Sequence, residues 1–297
     1  MVSPLSKKLI AGAIGESGSL LGALPPVPLG VGEETGVQFA NSVGANSLAE
    51  LRKMKADTLV KAASKFGPFR FAMTIDGYFL PRDPLAIFQA GEQARIPLMV
   101  GWNSEESSYH AVMGNKKLTR ENFEKTVQKL YGDRTADVLK AYPVATDADV
   151  EQSATDLAGD RFIGFSTWRW AELQAETSGK PVYRYYYSLP RPPMVSEKDK
   201  GRAKGAVHSA EIEYAMGNLS TNKVFAWTEE DYKVSTIMQE YFANFIKKGD
   251  PNGTGLVKWP PSISSKPVPV MHIGADTKIV PDKYAERYFL MEQVMKK

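Results

Sequence analysis

The chain has 297 residues, 43% of them hydrophobic and 24% charged, with a net charge of +3 that is not gathered into one block. This is the balance of a globular protein that buries a sizeable core, and nothing in it points to nucleic acid or a membrane surface as a partner. The absence of cysteine excludes disulfides, thiolate metal sites and a cysteine nucleophile together, and no eighteen-residue apolar run exists that would span a membrane.

Leu9–Glu16 (LIAGAIGE) is small and apolar and reads as a buried strand that opens into a loop at Ser17-Gly18-Ser19. A Pro/Gly-rich loop follows over Ala23–Gly32. Helical periodicity then runs over residues 33–66, with Ser47 as an N-cap ahead of Leu48. Phe71–Leu80 (FAMTIDGYFL) predicts a hairpin-like segment turning at Asp76-Gly77. Ile96–Gly101 (IPLMVG) is a second buried strand, followed at once by Trp102-Asn103-Ser104-Glu105-Glu106. From Thr119 to Glu176 the pattern is helical, broken near Tyr142-Pro143. Val182–Ser188 (VYRYYYS) is a third strand, closed by Leu189-Pro190-Arg191-Pro192-Pro193. Thr228–Lys248 predicts a long amphipathic helix stopped by Gly249-Asp250-Pro251, and a strand near Val268–Ile273 precedes a helix from about Lys283. Apolar strands alternating with helical stretches argue for an α/β fold, a mostly parallel sheet flanked by helices with large helical insertions. In such sheets chemistry sits just beyond the carboxyl ends of the strands.

Three sets of residues fall there. Glu105 and Glu106 follow the second strand directly, either as a helix's first turn favoured by its dipole or with one carboxylate turned inward to orient a histidine. His208 lies on a loop after the third strand between small neighbours, in Gly205-Ala206-Val207-His208-Ser209-Ala210-Glu211. The other histidines, His110 and His272, have no comparable setting, and the three together lack metal-ligand spacing, so no metal or other cofactor is expected. Gly15-Glu16-Ser17-Gly18-Ser19 approximates the GxSxG elbow that presents a nucleophilic serine between strand and helix. Its fifth position is Ser19 instead of glycine, and prolines at 25, 26 and 28 rule out an ordinary helix behind it. Aromatics such as Trp102, Tyr109, Phe165, Trp168 and Trp170 suit either a substrate pocket or plain core.

Four segments in order resemble the type-B carboxylesterases, the α/β-hydrolase family that also contains the cholinesterases. Asp76-Gly77-Tyr78-Phe79-Leu80-Pro81 is similar to the family's DGxFLP. Ile96–Glu106 is similar to vPlmiGxNxDEG, with Ser107 where the family prefers glycine. Gly205–Glu211 is similar to GAxHxxE, and Tyr241–Asn252 with Trp259-Pro260 to YWxNFAxxGDPN…WP. The resemblance implies that Glu106 is the acid and His208 the histidine of a Ser-Glu-His triad. It places Ser17 in the family's AIxQSGS segment, whose first serine hydrogen-bonds near the triad acid. Neither the GESAG elbow nor the glycine-rich oxyanion segment HGG occurs in the chain. Residues 1–297 are therefore expected to be the C-terminal part of such a domain, with nucleophile and oxyanion donors upstream. The implied function is hydrolysis of a small-molecule carboxylic ester, weak or absent in this chain alone, with the missing N-terminal portion as a partner. Two rivals stand beside it: a minimal esterase using Ser17 as nucleophile, and a non-catalytic cholinesterase-like binding or adhesion protein. The N-terminus shows no signal-peptide order, and the compartment stays open.

Overall fold

The computed structural model describes every residue except Ala23, Pro68, Phe69, residues 263–266 and residues 296–297. In chain order the strands are β1 (Ala13–Glu16), β2 (Val27–Pro28), β3 (Thr74–Ile75), β4 (Leu98–Asn103), β5 (Val182–Tyr187), β6 (Pro269–Ile273) and β7 (Lys278–Pro281). The helices are α1 (Leu29–Ser42), α2 (Leu48–Lys53), α3 (Ala56–Phe66), α4 (Pro84–Gln89), α5 (His110–Met113), α6 (Arg120–Tyr131), α7 (Thr135–Ala141), α8 (Val150–Gly159), α9 (Phe165–Ser178), α10 (Ile212–Ala215), α11 (Glu229–Lys248) and α12 (Ala285–Val294). They divide into two compact units, Met1–Leu9 with Leu24–Ala94, and Ile10–Ala23 with Arg95–Lys297.

The smaller unit holds α1 to α4 and the short parallel pair β2–β3. Its apolar nucleus is aromatic: the Phe39 ring meets those of Phe66 and Phe71 edge-on at 5.5 and 5.2 Å. Ser47 caps α2 by accepting the Glu50 N–H. Two expectations change here. Pro28 enters the helix that begins at Leu29, so the Pro/Gly-rich loop ends earlier than the composition implied; Ala23, its first residue, lies outside the described residues. Thr74–Ile75 pairs in parallel with Val27–Pro28, so the segment is not a hairpin. The turn at Asp76-Gly77 is closed instead by the Asp76 carboxylate, which accepts the N–H groups of Tyr78 and Leu80.

The larger unit is built on a five-stranded sheet of order β1-β4-β5-β6-β7, parallel throughout except for the antiparallel β7. Alternation along the strands sorts side chains onto two faces. Met99, Tyr183, Tyr185, Tyr187, Met271 and Ile273 pack against Tyr214 and the α11 residues Val234, Met238, Tyr241 and Phe245. Leu98, Val100 and Val182 face the opposite way, onto Ala171 of α9. With both faces covered, β4 is buried along its whole length, which is why its sequence is apolar from Leu98 to Trp102. The first strand is shorter than its apolar run, starting at Ala13, and Leu9 is 81% exposed. Strand β7 is a four-residue edge strand added after β6, with Ile279 and Val280 half-buried between an exposed Lys278 and Pro281.

Candidate active site

Glu106 leaves the end of β4 and folds back beneath it. The chain beyond Asn103 does not begin a helix at the two glutamates; Ser104 N–H bonds Tyr187 O and Glu105 N–H bonds Ala206 O, both in strand-like fashion. Helix α5 starts only at His110. These bonds turn Glu106 inward, where it is 3% exposed, while Glu105 is half-buried, its carboxyl raised by burial. One Glu106 oxygen, Oε1, accepts the Asn103 N–H at 2.6 Å and the hydroxyl of Ser17. The other, Oε2, lies 2.6 Å from Nδ1 of His208. A carboxylate only accepts, so Nδ1 carries the ring proton in this contact and Nε2 is left to exchange one.

His208 is presented by a turn. Ala210 N–H bonds Val207 O at 3.0 Å, with His208 and Ser209 at the corners. Gly205 lets this loop lie against the acid's loop: a Cβ there would fall 2.7 Å from Glu105 Cγ and 2.8 Å from Ser104 Oγ. The Ser104 hydroxyl fixes the same approach by accepting the Ala206 N–H at 2.8 Å. The imidazole keeps 43% of its surface exposed. The hydrogen bond to Glu106 raises its pKa above the ordinary 6.5, against a downward pull from burial.

Ser17 sits just past β1 with φ 61°, followed by Gly18 at φ 111°. Helix α9 pins this bend: Thr167 Oγ1 accepts the Gly18 N–H at 2.7 Å, and Ser19 Oγ donates to Ser166 O at 2.7 Å. The Ser17 hydroxyl points at Glu106, and among the described residues no hydrogen bond joins it to His208. The structure thus brings Ser17, Glu106 and His208 together with the glutamate in the middle. His110 and His272 lie elsewhere: His110 contacts Gly114 O, and His272 stacks on Tyr186 with its pKa lowered by burial. Among the described residues no three His, Cys, Asp or Glu side chains gather as metal ligands, and no helix is long and apolar enough to cross a membrane.

Sequence reasoning missed several residues around this centre. Asn103 bridges from the acid's backbone to the histidine loop, its side-chain amide donating to Val207 O at 2.9 Å and to the Glu211 carboxylate. Glu211 is buried, which pushes its carboxyl up. Buried polar residues inside the two motif segments were the available signal for both. Phe162 gave none. It rides on a π-helical turn, Asp160–Gly164, between α8 and α9, and its ring meets the His208 ring at 5.6 Å and 78°. Trp102, Phe165 and Trp168 pack in the core.

The π-turn starts at Asp160, which is buried and accepts the Tyr142 hydroxyl at 2.7 Å. A cavity of about 20 Å³, room for about one water, lies between Asp160 and Glu106. Burial lifts the Asp160 carboxyl from 3.8 to about 6, despite Tyr142 and Arg287 nearby. The folded state therefore keeps a proton that the unfolded chain has lost. That stability is fully present below about pH 4 and falls by about 3 kcal/mol as pH rises through 6. Asp160→Asn removes this contribution; the difference between urea midpoints measured at pH 4 and pH 7 should be smaller in the variant than in the wild type.

A family model described as the carboxylesterase family matches residues 1–291. The chain is 28% identical over 279 residues to Acylcarnitine hydrolase of Mus musculus, across 88% of this chain and 48% of that protein. It is 28% identical over 285 residues to Pyrethroid hydrolase Ces2e of Rattus norvegicus, at 88% and 48% coverage. With Cocaine esterase of Homo sapiens the identity is 26% over 280 residues, at 88% and 49% coverage. The chain spans about half the length of the curated relatives it matches.

Proposed function

The chain belongs to the carboxylesterase family, and we propose that it supplies the acid and the histidine of a serine carboxylic-ester hydrolase. The observation that carries this reading is the 2.6 Å contact between His208 Nδ1 and the buried Glu106 carboxylate. Glu106 fixes the tautomer that leaves Nε2 free and stabilises the imidazolium formed when that nitrogen takes a proton. His208 Nε2 acts as general base toward a serine hydroxyl and then returns the proton to the leaving alcohol. Ser17 holds Glu106 in place and is not the nucleophile, because its hydroxyl is engaged by the acid and not by the base. The nucleophilic serine and the oxyanion N–H groups come from polypeptide outside these 297 residues, since neither an elbow nor an HGG segment occurs within them. The substrate class is a small carboxylic ester, and the chain alone turns it over weakly or not at all. The non-catalytic binding alternative ranks below, as both members of the acid–histidine couple are present.

Proton NMR titration of the three histidines tests the couple. His208 should titrate above 6.5, and Glu106→Gln should lower its pKa while that of His272, away from the couple, stays put. An unchanged His208 titration in the variant would sink the reading. In the active enzyme the acid limb of the rate profile should follow the same His208 pKa, with activity rising as the imidazole loses its proton.

A further inference from the structure

Among the described residues two non-glycine positions have positive φ, Ser17 at 61° and Ser209 at 66°. Both border the acid–histidine couple. Ser209 stands at the third position of the turn that carries His208, a place where positive φ favours glycine. A serine there must be held, because the left-handed conformation is disfavoured for any residue with a Cβ. The Ser209 carbonyl is gripped from outside the turn: Arg191 Nη2 donates to it at 2.7 Å. The guanidinium is itself fixed. Its Nη2 and Nε donate to one oxygen of Glu213 at 2.6 and 3.2 Å, the other Glu213 oxygen accepts Asn222 Nδ2 at 2.9 Å, and the Phe225 ring lies 5.3 Å from the guanidinium carbon.

We propose that Arg191 is the positioning residue for His208, clamping the strained Ser209 carbonyl so that the turn presents the imidazole to Glu106. The planar, always-charged fork suits this task, since it holds a carbonyl and a carboxylate at once in fixed directions. Arg191 follows β5 in the Leu189–Pro193 stretch, so the clamp ties the histidine turn to the end of the central sheet. The proposal rests on the Glu106–His208 couple and adds the element that keeps its geometry.

The Nδ1 proton of His208, hydrogen-bonded to Glu106, gives a downfield NMR signal whose exchange with water reports the geometry. Arg191→Ala should speed that exchange at least tenfold and move the His208 pKa down toward 6.5. Arg191→Lys should give an intermediate value. Adding Ser209→Gly to Arg191→Ala should restore slow exchange, because glycine holds the turn's positive φ without a clamp. A merely structural role for Arg191 predicts lowered stability in the alanine variant that glycine at 209 does not cure. The proposal is overturned if the folded Arg191→Ala or Arg191→Lys protein keeps the wild-type exchange rate, or if Ser209→Gly brings no recovery. Glu106→Gln separates this from the reading beneath it: an exchange rate unmoved by that variant defeats the couple itself, whatever Arg191 does.

Discussion

On the proposed acid and base roles, replacing His208 with Gln should lower kcat for ester hydrolysis by about 10⁶-fold, and Glu106→Gln by about 10⁴-fold, in an enzyme that joins this chain to a nucleophile. The asymmetry follows from the roles. Without His208 nothing takes the serine's proton, so the covalent step fails. Without the Glu106 charge the imidazole remains, but its tautomer is no longer enforced at 2.6 Å and its charged form loses its partner. Both act in the transition state, so KM should move little while kcat falls. Steady-state kinetics on a chromogenic ester decides it; equal and small losses in the two variants would remove the acid–histidine assignment. Ser17→Ala serves as the internal comparison. As a support for the carboxylate it should cost far less than either, whereas a nucleophile would cost as much as His208.

The largest effect on stability is expected at Asp231, in the first turn of α11. Its side chain is buried and accepts from both Nη atoms of Arg202 at 2.9 Å, from the Tyr214 hydroxyl at 2.6 Å, and from the N–H and hydroxyl of Thr228 in a capping box. Asp231→Ala leaves a guanidinium and a phenol facing an empty place, at a cost of about 3–5 kcal/mol. Burial pulls the Asp231 carboxyl upward, yet the bonds from Arg202, Tyr214 and Thr228 outweigh it and hold the carboxyl below its usual range. Its contribution is therefore present above the unfolded value of 3.8 and lost as pH falls through the lower folded one. Urea unfolding should show the variant's loss at neutral pH shrinking below about pH 4. A loss that is constant across that range would place the cost in helix capping alone.

How legible this architecture was depended on how local its causes are. Buried parallel strands announce themselves, because a strand covered on both faces is mostly apolar or aromatic; IPLMVG and VYRYYY were visible for that reason, the second despite its buried Arg184. Helix α11 was legible from its amphipathic pattern and its Gly249 stop, which lies at positive φ. The parallel pairing of β2 with β3 was not, since two residues carry no periodicity and Asp76-Gly77 imitates a hairpin turn. Glu106, in preference to Glu105, and His208 were reached through motif segments, whereas the backbone bonds that turn the Glu106 side chain inward, from Ser104 to Tyr187 and from Glu105 to Ala206, join residues distant in sequence. Phe162 and Arg191 were invisible at the site for the same reason: each acts across the fold, one from a π-helical turn and the other from the far side of the histidine's turn.

The five-stranded sheet also has a direction of growth. At one end β7 runs against its neighbour, begins with the exposed Lys278 and finishes with Pro281, a residue that brings no N–H to a ladder. That border resists a further strand. At the other end, within its own unit, β1 runs parallel to the strands that follow it and has neither proline nor lysine in Ala13–Glu16. A sheet built this way is finished on one flank and extensible on the other, so any enlargement by strand pairing proceeds from the side on which Ser17 stands.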